Sequence, residues 1–304
     1  MFAIEALELE KVYARGVLRR QVRAVDGISL QVAEGEAFGF VGPNGAGKSS
    51  TIRILMGLAR PTGGTVRLFG ADAMRPESRR GVGYVPENPC LYDYLTPLEI
   101  LEMGMRLHRT RANSLRQRAL EWLERFELAS VARSPIRSFS KGMTQRVALA
   151  QAMCIGPRLL ILDEPLSGLD PIGRREVVNL LADYKGQGGT LFFTSHVLHD
   201  VERLADRFGL IHEGRLRSVR SPSELVGAED IVIVRSKGAA PLDGWRAESA
   251  GQWVVEIPRV QLWDRLEQLH GAGHVLIEVR PTLSLESAFL HVVGLGKSGE
   301  GGLS

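Results

Sequence analysis

The sequence predicts an α/β protein with a largely parallel sheet, followed by a small α+β unit. Short apolar segments alternate with helical patterns up to about residue 220, and such runs are typical of strands that are covered on both faces. These segments include Ala37–Val41, Val82–Val85, Leu159–Leu162 and Thr190–Thr194. The pattern changes after residue 220, so we expect one large domain over 1–220 and a smaller domain over 221–304.

Two helices of the large domain have clear signals. Thr96 suits an N-cap, Pro97 suits the first helical position, and Glu99 closes a capping box. Residues 114–128 place five apolar side chains on one helical stripe. They are Leu115, Ala119, Trp122, Leu123 and Phe126.

The segment after Leu225 predicts the order strand, strand, helix, strand, helix. Its strands are "DIVIV", "WVVEI" and "HVLIEV", its first helix spans 260–273, and "LSLESAFLHVV" forms the closing helix. We expect the last nine residues, "GKSGEGGLS", to be frayed.

Composition limits the classes of function. The chain has 304 residues, is 44% hydrophobic and 24% charged, and carries a formal charge of +3. The charges are interspersed, so we expect no nucleic-acid partner, and the basic stretch Arg15–Arg23 suits a solvated loop. Cys90 and Cys154 form no disulfide framework, which favours a reducing compartment. No signal peptide or membrane-spanning run is visible, so we expect a cytoplasmic protein whose membrane role, if any, needs a partner.

A phosphate-binding loop follows the first of the predicted parallel strands. "GPNGAGKSS" fits the Walker A pattern G-x-x-x-x-G-K-[ST] and lies between a strand and a helix, which is the context such a loop requires. Lys48 can bridge the β- and γ-phosphates, and the Ser49 hydroxyl can bind Mg²⁺. We expect nucleotide phosphates to be held by Gly42, Pro43, Asn44, Gly45, Ala46, Gly47, Lys48, Ser49 and Ser50.

Two other apolar strands end in residues that carry chemistry. "LLILDEP" ends in Asp163, which could hold Mg²⁺, and Glu164, which could polarise a water beside the γ-phosphate. A simple helix cap at the strand end is the alternative. "TLFFTSH" ends in His196, at the edge where parallel sheets bind ligands, so His196 could contact the γ-phosphate. A metal pair of His196 and His199 is conceivable.

These motifs, together with "SFSKGMTQR" and "SGLD" at suitable spacing, resemble the nucleotide-binding subunit of ATP-binding cassette (ABC) transporters. The resemblance covers roughly residues 4–220. It implies a P-loop NTPase cassette: a RecA-like parallel sheet core, an antiparallel β subdomain and a helical subdomain at about 88–156. It also implies an ATPase that uses ATP and Mg²⁺, with Glu164, His196, Lys48 and Glu87 as catalytic residues.

The helix start at "FSKGM" stands where the family has its signature motif. Ser140 and Gly142 match that motif, whereas Phe139, Lys141 and Met143 depart from its common letters. The resemblance implies that Ser140 and Gly142 bind the γ-phosphate of an ATP held by a second nucleotide-binding subunit.

Three further residues take their expected roles from the resemblance. Asp170, in "SGLD", would lie along the interface between the two subunits, and Tyr13 would stack on adenine, unless it is an ordinary strand-edge aromatic. Glu87 stands where the family usually has a glutamine that meets Mg²⁺ and the membrane partner. Glutamate can still ligate the metal, although a solvated loop acid is the alternative.

The resemblance implies that ATP closes a dimer and so drives a separate polytopic transmembrane permease at the cytoplasmic face of the membrane. Glu87, "FSKGM" and the tail segment "PTLSLESAFLHVVG" favour an exporter over an importer ATPase. A non-transport ABC ATPase of translation or DNA repair is the competing class. Such proteins commonly carry two cassettes or an inserted arm, and this chain shows neither. The cargo, and a homodimer against a heterodimer, stay open.

Overall fold

The computed structural model describes residues 1–15, 20–111, 114–227, 231–239, 241–249 and 251–281. The chain divides into two compact units, the first of which is Met1–Val219, while the second begins at Arg220. The closing helix and the frayed tail expected after residue 282 lie outside the described residues. No helix within the described ranges has the length and apolar character that crossing a bilayer requires.

The first unit contains ten strands and six α-helices within the described residues. Its strands are β1 (Phe2–Arg15), β2 (Arg20–Ala33), β3 (Ala37–Val41), β4 (Gly63–Leu68), β5 (Ala71–Asp72), β6 (Val82–Val85), β7 (Leu159–Leu162), β8 (Thr190–Ser195), β9 (Arg207–His212) and β10 (Arg215–Arg220). Its helices are α1 (Lys48–Leu55), α2 (Pro97–Leu107), α3 (Leu115–Arg125), α4 (Lys141–Cys154), α5 (Pro171–Gly186) and α6 (Leu198–Leu204).

A six-stranded sheet in the order β10-β9-β3-β8-β7-β6 forms the centre of this unit. The pairs β3–β8, β3–β9, β6–β7 and β7–β8 are parallel. Every residue of β3, β7 and β8 is buried, which explains why these strands appear in the sequence as short continuous apolar runs. The predicted parallel sheet is therefore confirmed, with β8 one residue longer than expected. Because Val41 pairs with Ser195, the ends of β3 and β8 lie side by side.

A second sheet of the same unit has the order β2-β1-β4-β5, and its pairings are antiparallel. Ile4, Leu9 and Ile28 of this sheet share one hydrophobic cluster with Ile52 and Leu55 of α1. The expectation of a solvated loop over 15–23 is wrong for its last residues. The long β1–β2 ladder runs out to the pair of residues 15 and 20, so residues 20–23 belong to β2, although Gln21, Val22 and Arg23 are exposed.

The helices α2, α3 and α4 pack on one another and form the helical part expected near 88–156. The capping box of α2 is present: the Glu99 amide donates to Thr96 Oγ1 (3.3 Å), and the Thr96 amide donates to Glu99 Oε2 (2.9 Å). The predicted stripe of α3 faces inward, since Ala119 and Leu123 are fully buried.

The second unit contains α7 (Pro222–Gly227), β11 (Ile231–Lys237), β12 (Arg246–Ser249), β13 (Gln252–Pro258), α8 (Leu262–Gly271) and β14 (Val275–Pro281). Its strands form an antiparallel sheet in the order β12-β13-β11-β14. Val232, Val234, Ile257 and Leu269 are its core. The three expected strands and the helix are present. The fourth strand, β12, was not predicted from the sequence, because this edge strand, "RAES", is exposed throughout and carries no apolar alternation.

Candidate active site

The loop between β3 and α1 curls tightly at two glycines. Gly47 precedes α1 with a φ of +110°, and a Cβ on it would lie 2.3 Å from the Ala24 carbonyl oxygen. A Cβ on Gly42 would lie 2.2 Å from the Ile211 carbonyl oxygen. Neither position therefore tolerates a side chain without rearrangement. A loop held this way turns its backbone N–H groups and the α1 N-terminus toward one point, which favours an anion.

Lys48 occupies the middle of this loop. Its ammonium donates to the carbonyl oxygens of Gly42 (2.7 Å) and Pro43 (3.3 Å), and only 6% of the residue is exposed. It also lies 3.4 Å from Glu164 Oε1. The loop thus brings its cation against the acidic end of β7, as the sequence predicts for a phosphate site.

Asp163 and Glu164 are fixed by a hydroxyl on the neighbouring strand. Thr194 Oγ1 donates to Asp163 Oδ1 (2.7 Å) and accepts from the Glu164 amide (2.8 Å). Both acids are buried, at 4% and 8% exposed, and Glu164 has a left-handed φ of +49°. Such a backbone costs a non-glycine residue roughly 1–2 kcal/mol, so the neighbouring contacts must hold it. Thr194 is not among the residues predicted from the sequence, although a polar residue near the end of an apolar strand is a visible signal.

His196 approaches the same carboxylate from the end of β8. Its Nδ1 lies 2.8 Å from Glu164 Oε2, and about half of its side chain is exposed. An ionised carboxylate can only accept, so Nδ1 carries the hydrogen of this bond. The other oxygen of Glu164 is buried and has no hydrogen-bond partner among the described residues, although the Lys48 ammonium is near it. Glu164 therefore keeps one carboxylate oxygen, Oε1, that accepts no hydrogen bond from the described residues. The Lys48 ammonium and the His196 imidazole lie on either side of this carboxylate.

One cleft joins these parts. This phosphate-loop cleft is lined by Glu87, Glu164, Ser167 and His196 together with the loop residues Pro43, Asn44, Gly45, Gly47, Lys48, Ser49 and Ser50, whereas Gly42 and Ala46 are not part of its lining. An adjoining cleft brings Ser49, Glu87 and Asp163 together beside Tyr84. Burial raises the pKa of the Tyr84 hydroxyl, and the nearby Asp163 raises it further.

The oxygen donors of the adjoining cleft suit Mg²⁺. A hydroxyl and carboxylates are the ligands that this hard cation prefers. Among the residues that the structure describes, no group of three or more His, Cys, Asp or Glu side chains could cage a metal. The side chain of His199, the conceivable metal partner of His196, lies outside the described atoms.

Comparisons with known proteins give the family. A family model described as ABC transporter matches residues 25–167. An uncharacterized ABC transporter ATP-binding protein of Nostoc sp. is 41% identical over 296 residues, covering 94% of this chain and 88% of the relative. The chain belongs to the ATP-binding proteins of ABC transporters. The matched segment of this ABC ATPase contains Lys48, Ser140 and Glu164.

Other relatives of this ABC ATPase carry more specific names. The daunorubicin resistance ATP-binding protein of Streptomyces coeruleorubidus is 35% identical, covering 90% of this chain and 92% of the relative. The Nod factor export ATP-binding protein of Cupriavidus metallidurans is 34% identical, covering 89% and 92%. A solved dimeric ATP-binding cassette in a post-hydrolysis state, with ADP and phosphate bound, superposes with a TM-score of 0.67 at 26% identity. It covers 72% of this chain and 98% of that structure. The ABC cassette fold is therefore confirmed, and the chain is an ATPase of a transport system.

Some of the predicted site residues lie outside the cleft of their own chain. Ser140 caps α4 by accepting from the Met143 amide (3.3 Å), and Asp170 caps α5 by accepting from the Gly173 amide (2.8 Å). Gly142 lies close to the Gly168 carbonyl oxygen, where an added Cβ would approach to 3.3 Å. The starts of α4 and α5 thus lie next to each other, and neither lines the phosphate-loop cleft.

Tyr13 also lies outside the lining of that cleft. It is a half-buried residue of β1, paired with Val22 of β2, and the Lys11 ammonium lies 4.9 Å from its ring centroid. Its hydroxyl is buried without a hydrogen-bond partner among the described residues. These contacts suit a strand aromatic, and an adenine-stacking role for Tyr13 stays a prediction.

Proposed function

We propose that this ABC ATPase is the nucleotide-binding subunit of an exporter that powers a separate transmembrane permease. The names of two relatives support export as the direction of transport, since one is a daunorubicin resistance ATP-binding protein and the other a Nod factor export ATP-binding protein. Glu87 in place of the usual glutamine and the "FSKGM" helix start support it as well. The 1–220 domain would be the catalytic cassette, and the 221–304 domain an extension of it.

The proposed hydrolysis rests on the contact between Glu164 and His196, both of which line the phosphate-loop cleft. In this proposal Glu164 is the general base that polarises the attacking water, and its unused oxygen receives the proton. The imidazole of His196 keeps the carboxylate in place and faces the γ-phosphate. Lys48 supplies fixed positive charge where negative charge grows in the transition state.

ATP and Mg²⁺ would bind at the two adjoining clefts. The loop from Gly42 to Ser50 holds the phosphates, and Ser49 and Asp163, with Glu87, hold the ion. When bound, Mg²⁺ would supply positive charge that offsets the negative charge of the phosphates. Glu87 is exposed, so it can also reach the permease.

We further propose that two copies dock head to tail at the cytoplasmic face of the membrane. The neighbouring starts of α4 and α5 carry Ser140, Gly142 and Asp170. None of these residues lines the cleft of its own chain, so in this proposal they complete the cleft of a second copy. The dimeric state of the solved cassette supports this arrangement. Two helix N-termini would then flank one ATP, the α1 terminus from one copy and the α4 terminus from the other.

The variant Glu164→Gln tests the catalytic assignment. It keeps the shape and the burial of the side chain but removes its basicity, so we expect kcat to fall by about 100-fold or more. ATP affinity, measured by equilibrium binding, should stay within about threefold. Glu77→Gln is the matched control, because Glu77 is exposed and lies away from the cleft. Turnover close to the wild-type rate in Glu164→Gln would refute Glu164 as the base.

A further inference from the structure

An ion pair between the partly exposed Arg174 and the buried Asp200 links α5 to α6 beside the candidate active site. Arg174 approaches Asp200 with both arms of its guanidinium: Nε donates to Oδ1 (3.0 Å) and Nη2 donates to Oδ2 (2.5 Å). Asp200 is only 4% exposed. Two parallel hydrogen bonds fix both the distance and the orientation of the partners, which a single contact between point charges does not.

Asp200 lies four residues after His196 and supports the turn that carries it. Ser195 Oγ accepts from the Val197 amide (2.9 Å) and donates to the Val197 carbonyl oxygen (3.0 Å), so it closes the turn around His196. The same hydroxyl lies 3.4 Å from Asp200 Oδ2. The carboxylate of Asp200 therefore contacts the turn on one side and Arg174 on the other.

Arg174 lies in the first turns of α5, just after the loop that runs from Glu164 to Asp170. One cavity is shared by this loop and by the His196 turn, and it is lined by residues that include Glu164, Ser167, Arg174, His196 and Asp200. Both members of the ion pair therefore line the same cavity as Glu164 and His196.

The helix α4, which Ser140 caps, contacts the start of this loop and the start of α5. Gln145 of α4 is fully buried, and its amide donates to the Pro165 carbonyl oxygen (3.2 Å). A Cβ on Gly173 would lie 2.5 Å from Arg146 Nη2, so α4 packs closely on the start of α5. A continuous series of contacts therefore leads from α4 through the loop to Arg174.

We propose that Arg174 and Asp200 are a positioning pair that holds the His196 turn so that Nδ1 meets Glu164, and thereby sets the rate of ATP hydrolysis. The proposal rests on the proposed roles of Glu164 and His196. Neither member of the pair touches the phosphate-loop cleft, so the pair acts through His196 and not on the nucleotide. A displacement of about 1 Å in a catalytic group can lower a rate by about 100-fold, so an anchor behind His196 matters for kcat.

The test is steady-state ATP hydrolysis by the purified full chain carrying Asp200→Asn or Arg174→Lys. Asp200→Asn removes the charge at constant size, and Arg174→Lys keeps the charge but loses the paired hydrogen bonds. We expect kcat to fall by about 10- to 100-fold in Asp200→Asn and by less in Arg174→Lys. The KM for ATP should stay within about threefold, because the phosphate loop is untouched. Rates are normalised to the folded fraction at the assay temperature, measured by thermal melting.

Lys185→Met is the matched control. Lys185 belongs to the same helix and forms an ion pair with Asp206 (2.6 Å), which follows α6, but neither residue lines the cleft or the cavity that Arg174 and Asp200 line. Its kcat should equal that of the wild type. If kcat fell as far in Lys185→Met as in Asp200→Asn, any ion pair of α5 would affect hydrolysis equally, and this result would overturn the proposal.

The background variant His196→Ala separates positioning from general stabilisation. If the pair acts through His196, adding Asp200→Asn to His196→Ala should cause little further loss of kcat. The proposal would be overturned if the fold-losses of kcat in the two single variants multiplied in the double variant. An unchanged kcat in folded Asp200→Asn would overturn it as well. A wild-type kcat in His196→Ala alone would refute the role proposed for His196 itself. A low kcat there with a normal kcat in Asp200→Asn would refute the positioning pair alone.

Discussion

Replacing Thr194 by valine should loosen the two acids at once. The change keeps the shape and the β-branching of the side chain, so the fully buried strand β8 can still form. It removes two hydrogen bonds: the one that Thr194 Oγ1 donates to Asp163 Oδ1 (2.7 Å) and the one that Thr194 Oγ1 accepts from the Glu164 amide (2.8 Å). Both partners are buried and would lose a hydrogen bond that water cannot easily replace.

The cost follows from these two bonds. A bond to an ionised group contributes about 1.5–3 kcal/mol and a neutral bond about 1 kcal/mol, so we expect the free energy of unfolding to fall by roughly 3 kcal/mol. For a unit of this size that corresponds to a fall in Tm of roughly 6–12 °C. Glu164 would also lose an anchor of its left-handed backbone, so kcat should fall by about 10-fold or more.

Thermal melting and steady-state ATP hydrolysis measure the two effects. Thr194→Ser is the control, because it keeps the hydroxyl and removes one methyl group, which should cost about 1 kcal/mol. The serine variant should therefore keep most of the activity. A Thr194→Val variant that melts within about 2 °C of the wild type and hydrolyses ATP at the normal rate would refute the idea that this hydroxyl holds the acids.

Three other variants or reagents test separate parts of the structure. Gly47→Ala should abolish ATP binding, measured by equilibrium titration, because the new Cβ would lie 2.3 Å from the Ala24 carbonyl oxygen. A normal ATP affinity would contradict the claim that this position admits no side chain. Ser140→Arg should block ATP-driven dimer formation in size-exclusion chromatography while monomeric nucleotide binding persists, whereas unimpaired dimers would refute the proposed role of the α4 start. Burial raises the pKa of the Cys154 thiol to about 12. A thiolate fraction of about one in ten thousand at pH 8 then makes Cys154 inert to a maleimide, while exposed Cys90 reacts. Labelling of both thiols in the folded protein would contradict this burial.

The sequence was most informative where one local pattern decides a local structure. The capping box of α2 needs only Thr96, Pro97 and Glu99, and these residues form it as predicted. The buried strands β3, β7 and β8 are short apolar runs because helices and neighbouring strands cover them. The ends of these strands carry the motif residues, so the meeting of Lys48, Glu164 and His196 follows from a parallel sheet.

The parts that sequence reasoning missed depend on partners that are distant in the chain. Thr194 contacts Glu164 across 30 positions, and Arg174 contacts Asp200 across 26. A threonine in a strand or an arginine on a helix is ordinary by itself, and only the register of β7 against β8 and the packing of α5 against α6 bring the pairs together. The exposed edge strand β12 was missed for a different reason, because hydrogen bonding to β13 alone defines it.

These distant contacts also explain how a strained glutamate can stand at the end of β7. Its φ of +49° is unfavourable for a residue with a side chain, and the next residue is a proline that cannot donate a backbone hydrogen bond. The amide of Glu164 is held by Thr194, and its carboxylate lies between Lys48 and His196. Thr194 belongs to β8, His196 directly follows β8, and Lys48 begins α1, so the geometry of Glu164 depends on the alignment of β7 with β8 and with the loop after β3. A carboxylate fixed in this way responds to any movement of the loop after Glu164 or of the His196 turn. In the proposed dimer, this sensitivity would let a second copy that contacts the neighbouring helix starts control hydrolysis without touching Glu164 itself.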